Sequence, residues 1–168
     1  MPGFGTVTSS LIGAGFGTTD STALFALGTL AEATNGQTVQ YVEATATFVT
    51  GEFVLINPTG TAKTLLTSLL TANAEGYEIG IAQGVLSQGE FGWVARNGRN
   101  LYVLCTGTVT AGGESGVAFS ANSGRLENAA AVGVGQTCFG VYITTSASTA
   151  TASAAVATVT WPRNALHT

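Results

Sequence analysis

The chain has 168 residues, enough for one domain or for one domain with an arm. Only 8% of them are charged, against about 25% in an average soluble domain, while 45% are hydrophobic and 23 residues are glycine. This hydrophobicity excludes a disordered chain, and five Lys and Arg against nine Asp and Glu exclude a basic nucleic-acid-binding face. The charges are also too few to flank a coiled coil, which leaves open how so charge-poor a chain stays in solution.

Residues 1–22 are predicted to form an extended, Gly-rich N-terminal arm ahead of a single β-domain at 23–168. Glycine loses more backbone entropy on ordering than any other residue, so we expect the arm to settle only against a partner surface. The first residues lack the basic and apolar segments of a secretory signal, and no run of 18 apolar residues exists, so neither export nor a membrane span is expected. The apolar residues expected to anchor the arm are Phe4, Leu11, Ile12 and Phe16.

From residue 21 onward the pattern is typical of β-strands. Residues 39–48 are rich in β-branched and aromatic side chains, and the apolar run 53–56 is closed by the turn sequence Asn57-Pro58-Thr59-Gly60. Leucine spacing at 62–74 is equally compatible with a turn or a short helix, and the Ala-rich residues 127–132 are too few for an independent helix. Pro162 is expected to end the last strand. Further strands are predicted at 78–86, 91–96, 101–105, 117–120, 139–143 and 155–161.

Two turn signals predict β-hairpins. Asn97-Gly98 lies between the predicted strands 91–96 and 101–105, and Asn-Gly tolerates the positive φ angles of a tight hairpin turn. Asn122-Ser123 lies in the same way between 117–120 and 124–126. The expected fold is therefore all-β, a compact antiparallel β-barrel or β-sandwich, and the strand spacing does not distinguish the two.

A pattern recurs about sixty residues apart. In each half a Gly-Glu turn leads into an apolar strand, and an apolar-Gly-apolar strand follows after a variable excursion. The chain is thus interpreted as two similar β-units, at about 39–86 and 101–161. Because Gly and Val are abundant in this chain, chance is the alternative explanation of the repeated pattern. The matching segments are Thr50–Leu55 with Ile79–Ala82, and Gly112–Ala118 with Phe139–Tyr142.

Residues for catalysis are few. The single histidine, His167, lies near a chain end, where a general base is poorly held in place. Glu75, Glu78 and Glu90 lie in or beside predicted loops and are interpreted as solvated turn residues rather than catalytic carboxylates. No phosphate-binding loop and no set of metal ligands is present, so we predict no enzyme, no cofactor and no metal site.

Cysteines, tryptophans and arginines each allow a structural and a functional interpretation. Cys105 and Cys138 are expected to be free buried thiols, with a disulfide as the alternative. Trp93 and Trp161 are expected in the core, with a sugar-binding platform as the alternative. The five cations are expected to be surface residues, while Arg96 and Arg99, beside the Asn97-Gly98 turn, are also candidates for contacts with an acidic neighbour.

Several segments follow a fixed order along the chain: Gly51-Glu52, and then, within residues 90–161, Phe91–Val94, Leu101–Leu104, Val109–Glu114, Ser123–Ala129, Phe139–Tyr142 and Val156–Trp161. In this order they resemble the capsid decoration, or cement, proteins of tailed bacteriophages. In that family a strand leads to an Ala-Gly-Asp/Glu turn, and then to a Gly-Xaa-Leu hairpin, an apolar-Gly-apolar strand and a final Val-rich strand. This chain has Glu where Asp is commoner, at Glu52 and Glu114, and its arm has no counterpart in the pattern.

The resemblance implies a non-enzymatic β-protein of the virion, bound to the outer surface of an icosahedral capsid that is assembled in the host cytoplasm. Its expected partners are the major capsid protein and two further copies of itself, as a homotrimer, with neither nucleic acid nor membrane. Two alternatives remain open. One is a tail, fibre-base or head–tail module of a virion, and the other is a carbohydrate- or surface-binding β-module.

Overall fold

The computed structural model describes residues 18–33, 36–66, 77–106, 108–112, 117–119, 124–128, 137–146 and 153–165, with only the backbone at 117–119, Asn128, Thr137, Phe139, Ser153 and 163–165. In these ranges the regular structure consists of strands, which confirms the all-β prediction. The described residues form ten strands: β1 Leu30–Glu32, β2 Thr38–Ala44, β3 Phe53–Ile56, β4 Thr61–Thr64, β5 Glu78–Ala82, β6 Phe91–Cys105, β7 Val117–Phe119, β8 Leu126–Asn128, β9 Thr137–Thr145 and β10 Ser153–Ala165.

The strands form one mixed sheet that does not close into a single barrel. Its order is β1-β2-β4-β3-β5-β6-β10-β9-β7-β8, with further pairings of β6 to β2 and to β8. Most pairs are antiparallel, as expected, but β2 runs parallel to β4 and β6 runs parallel to β8. None of the described residues forms a helix long and apolar enough to cross a bilayer.

The strand pairings repeat along the chain with β6 used twice. In the set β2 to β6, β3 pairs antiparallel with β4 and with β5, and β2 pairs parallel with β4. The last strand of this set, β6, pairs antiparallel with both β2 and β5. The same five pairings recur in the set β6 to β10. There β7 pairs antiparallel with β8 and β9, β6 pairs parallel with β8, and β10 pairs antiparallel with both β6 and β9. We refer to these sets as the first and second strand sets.

The Asn97-Gly98 hairpin prediction is wrong, because β6 runs through these residues as one strand of 15 residues. Asn97 pairs with Thr38 of β2 on one side and with Thr160 of β10 on the other, so the strand cannot turn back on itself. The residues near Asn97-Gly98 do adopt positive φ, but within the strand. The register of β6 against β2 and against β10 shifts here, and Asn100 has a φ of 57°. The Asn-Gly sequence therefore marks a bulged bend where β6 changes partners.

The second hairpin is confirmed in its strands: β7 and β8 pair antiparallel, with Phe119 opposite Leu126. The turn at 57–60 is also confirmed, because the Asn57 side-chain oxygen accepts hydrogen bonds from the backbone N–H groups of Thr59 and Thr61. The leucine-rich stretch begins as strand β4, and its residues 67–74 lie outside the described part, as do 129–132 of the Ala-rich segment.

Pro162 does not end the last strand as predicted. β10 continues to Ala165, and its register against β9 breaks between Val159 and Arg163. Proline lacks a backbone N–H, and an irregularity of this kind accommodates it without the loss of a ladder hydrogen bond. Trp161 lies in the same irregularity and has a φ of 47°, a backbone conformation that residues other than glycine rarely adopt.

Two hydrophobic clusters lie on opposite faces of the first strand set. In β2, Val39 and Tyr41 pack into the larger cluster, while Val42 and Ala44 pack into the smaller one. Burial on both faces explains why β3 reads as the continuous apolar run Phe53–Ile56. The larger cluster also contains the buried residues of the second strand set, so one core joins both sets. The smaller cluster consists of Val42, Ala44, Phe48, Val54, Ile56, Ala62, Ala82, Leu86 and Val94.

Gly124 joins the two strand sets at close range. Its N–H donates to the Leu65 carbonyl oxygen at 2.8 Å, and its carbonyl oxygen accepts from the N–H of Phe53 at 2.7 Å. Its φ is 54°, and a Cβ atom at this position would overlap the carbonyl oxygen of Phe53. The Gly-Xaa-Leu sequence therefore provides the close approach of the second set to β3.

We predict that Gly124→Ala destabilises the protein more than Gly89→Ala. Both glycines have positive φ, but a Cβ at Gly89 would meet no atom within 4 Å. The control should cost about 1–2 kcal/mol of unfolding free energy from backbone strain, and Gly124→Ala should cost about 1–3 kcal/mol more from the overlap. Urea denaturation measures both values, and equal losses would contradict the close approach.

Candidate functional site

The predicted partner-binding residues fall into three groups. Phe4, Leu11, Ile12 and Phe16 lie outside the described residues. Arg99 is exposed, and its contact with an acidic neighbour stays a prediction; its carbonyl oxygen accepts a hydrogen bond from the Gln37 side chain at 2.9 Å. Arg96, by contrast, is only 5% exposed, so it differs from the expected surface cation.

The guanidinium of Arg96 is bound within the chain. Its Nη1 donates to Oε2 of Glu78 and to Oε1 of Gln40, and Nε2 of Gln40 donates to the same Glu78 oxygen at 3.0 Å. The three side chains therefore form a closed triangle of charge-assisted hydrogen bonds, which are stronger than neutral ones. An acidic neighbour would compete with Glu78 for this guanidinium.

The register of three adjacent strands assembles this triangle. Gln40 continues the row of Val42 and Ala44 on β2, and Glu78 precedes Gly80 and Ala82 on β5. Arg96 lies on β6 at the bulge, because Val39 pairs with Ala95 while Thr38 pairs with Asn97. The polar triangle thus lies at one end of the smaller hydrophobic cluster.

Trp161 packs against this arginine from β10. The guanidinium carbon of Arg96 lies 5.2 Å from the centroid of the Trp161 ring, within the range of a cation–π interaction. The side chain remains 43% exposed, so the prediction of a core position is wrong for this tryptophan. It is confirmed for Trp93, which is buried beside Tyr41 with ring centroids 5.0 Å apart. We call Gln40, Glu78, Arg96 and Trp161 the Arg96–Trp161 cluster.

The ion pair sets the protonation state of the cluster. The hydrogen bond from Arg96 lowers the pKa of Glu78 below its ordinary value, and the bond from Gln40 acts in the same direction against the opposing effect of burial. Glu78 is therefore ionised at neutral pH, and its charge balances that of the guanidinium. The cluster thus presents no net charge beside a half-exposed indole ring.

The interpretation of the glutamates as solvated turn residues fits Glu90, whose carboxylate accepts from the N–H of Ser87 in a turn. It is incomplete for Glu78, which begins a strand and is only about half exposed, at 49% for its side chain. Glu75 lies outside the described residues. Composition gave no indication of the cluster, because its members are separated by up to 121 positions along the chain and only tertiary pairing brings them together.

Other candidate sites in the described part carry less chemistry. Cys105 and Cys138 are buried thiols that form no disulfide, as predicted, and burial raises the pKa of the Cys105 thiol to about 11, which keeps it protonated at neutral pH. A cavity of about 210 Å³ lies beside Lys63 and Tyr77, but the oxygen of its Asn57 amide is already used by the turn that follows β3. In the described ranges, no three His, Cys, Asp or Glu side chains group as metal ligands.

We predict that Glu78→Gln lowers the unfolding free energy by about 1 kcal/mol at neutral pH, since solvent screens a half-exposed pair. The folded-state pKa of Glu78 is lowered, so the contribution of its charge is fully present above the ordinary value of 4.5 and is lost as the pH falls through the lowered pKa. Denaturation of both proteins over this pH range measures the difference.

The matched control is Glu43→Gln, which removes the same charge from β2, where Glu43 forms no ion pair within the described residues. Its effect should not follow the Glu78 profile. A Glu78→Gln difference that stays constant as the solution is acidified would contradict the assigned ion pair.

Comparison with protein-family models, curated proteins and solved structures found no match for this chain. The resemblance to decoration proteins therefore stays a prediction from the residues that carry it.

Proposed function

We propose that this chain is a non-enzymatic structural protein of a virion, which binds the outer surface of an icosahedral phage capsid and clamps neighbouring capsomers. The observation that carries the proposal is the surface of the described strands and turns, which combines few charges with large exposed apolar side chains. Such side chains mark interaction surfaces when they cluster. They are Leu24, Leu30, Val49, Val85, Tyr142 and Trp161.

Two of these side chains are neighbours. Phe48 and Leu86 form an antiparallel bridge with hydrogen bonds in both directions, so Val49 and Val85 follow as the next opposed pair. Phe48 and Leu86 are buried in the smaller cluster, whereas Val49 and Val85 point the other way and are exposed. This apolar pair lies beside backbone hydrogen bonds that hold the two segments together, so its burial against a neighbouring subunit would require little ordering.

Low charge supports the same role. An interface that covers charged groups must remove their water, which costs free energy unless each charge finds a partner. With 8% charged residues, this chain has few such groups to cover. A clamp that binds only the assembled shell stabilises that shell by mass action.

The N-terminal arm would extend this attachment. The described chain begins at Thr18, and Asp20 exchanges backbone hydrogen bonds with Phe91 at 3.0 and 2.9 Å. The arm predicted for 1–22 is therefore tied to the body at Asp20, near the start of β6. A truncation that tests the arm should remove 1–17 and leave this bridge intact.

We expect deletion of residues 1–17 to weaken attachment to capsid shells by at least tenfold, because Phe4, Leu11, Ile12 and Phe16 would be lost together. Co-sedimentation with undecorated shells of the virus that encodes the chain measures the affinity. The control is a full-length chain with Thr6→Ser and Thr8→Ser, which keeps the arm and its apolar residues. Equal affinity of truncated and full-length protein would contradict the role of the arm.

The major capsid protein is the proposed partner, and a homotrimer is the proposed form on the shell. The alternative role, a tail, fibre-base or head–tail module, predicts far fewer copies per virion than a decoration protein, which should number in the hundreds. Quantitative mass spectrometry of purified virions distinguishes the two roles. Light scattering on the isolated chain tests the trimer.

A further inference from the structure

We propose that the Arg96–Trp161 cluster is a binding site for a neutral hexopyranose oligosaccharide, a function separate from attachment to a capsid. The half-exposed indole of Trp161 would stack against the apolar C–H face of a sugar ring. The carboxylate of Glu78 would accept hydrogen bonds from its hydroxyl groups. This combination of an aromatic surface with a few fixed polar groups is typical of small-molecule sites.

The indole is held in place before any ligand arrives. The guanidinium of Arg96 supports the ring at 5.2 Å, and Glu78 and Gln40 fix that guanidinium in turn. A ligand that stacks on a preorganised ring loses less free energy to side-chain ordering. Exposed tryptophans combine an apolar surface with a polar N–H, which suits a ligand with apolar and hydroxyl-bearing faces.

The cluster is costly for a purely structural feature. Nε of Arg96 is buried without a hydrogen-bond partner in the described structure, and an unsatisfied buried donor destabilises a fold. Trp161 adds backbone strain through its φ of 47°. Apolar packing in place of Arg96 would leave no buried guanidinium donor without a partner. Strain of this kind is common at binding sites.

Charge balance selects the class of ligand. Arg96 and Glu78 neutralise one another, so the cluster offers no net attraction to an anion or a cation. Oε2 of Glu78 already accepts from Arg96 and Gln40, while its Oε1 accepts no hydrogen bond within the described residues. That oxygen is an acceptor without a competing internal donor, and the Glu78 side chain is 49% exposed. A neutral ligand rich in hydroxyl donors fits these properties.

Saturation-transfer NMR on the full chain tests the proposal with maltotetraose, cellotetraose and tetra-N-acetylchitotetraose as probes. We expect at least one of them to bind with a Kd at or below about 1 mM. Trp161→Ala should weaken that binding at least tenfold, and Glu78→Gln should weaken it several-fold. Trp161→Tyr should retain part of the affinity, because an aromatic face remains.

The matched control is Tyr142→Ala, which removes another exposed aromatic side chain, on β9, and should leave sugar binding unchanged. Absence of binding to all three probes at about 10 mM would overturn the proposal, as would binding that Trp161→Ala leaves intact. If Trp161→Ala instead weakens shell attachment while no sugar binds, the indole is a protein contact. Shell attachment and sugar binding are measured separately, so failure of one leaves the other standing.

Discussion

The fold depends on the shared use of strand β6. Its first half pairs with β2 and β5, and its second half pairs with β10 and, at Cys105, with β8. The last strand of one five-strand pattern is thereby the first strand of the next. The two patterns cannot separate without breaking this strand, and the larger hydrophobic cluster continues across both. A charge-poor chain thus gains one continuous core through backbone pairing and apolar packing.

The candidate site follows from the bend in that strand. Where β6 changes partners, the bulge places Arg96 between Gln40 of β2 and Glu78 of β5. The second strand set then supplies Trp161, because β10 pairs along the second half of β6 and reaches Arg96 at its own irregularity. Backbone irregularities in two paired strands therefore create a place where an ion pair supports an exposed indole. A regular pairing would have left both residues as ordinary strand positions.

Features that depend on neighbouring residues in the chain could be predicted from the sequence. The apolar run 53–56 and its Asn-Pro-Thr-Gly turn were predicted in place, because the Asn57 side chain satisfies its own turn. Asn97-Gly98 misled for the same reason: its turn preference is local, whereas pairing of Asn97 to both β2 and β10 decides the outcome. The burial of Arg96 and the exposure of Trp161 depend on contacts between strands far apart in sequence, which periodicity does not encode. The recurring Gly-Glu pattern pointed toward a repeat, but only the pairings show that β6 is used twice.

Coincident unfolding of the two strand sets is the most direct test of the shared strand. In a Trp161→Phe, Cys105→Ala variant the fluorescence of Trp93 reports the half of β6 that pairs with β2, and labelling of the remaining thiol, Cys138, which is buried on β9, reports the second set. Urea denaturation followed by both probes should give one midpoint, as a cooperative unit requires. Two separate midpoints, with the thiol exposed before Trp93 or after it, would contradict the account.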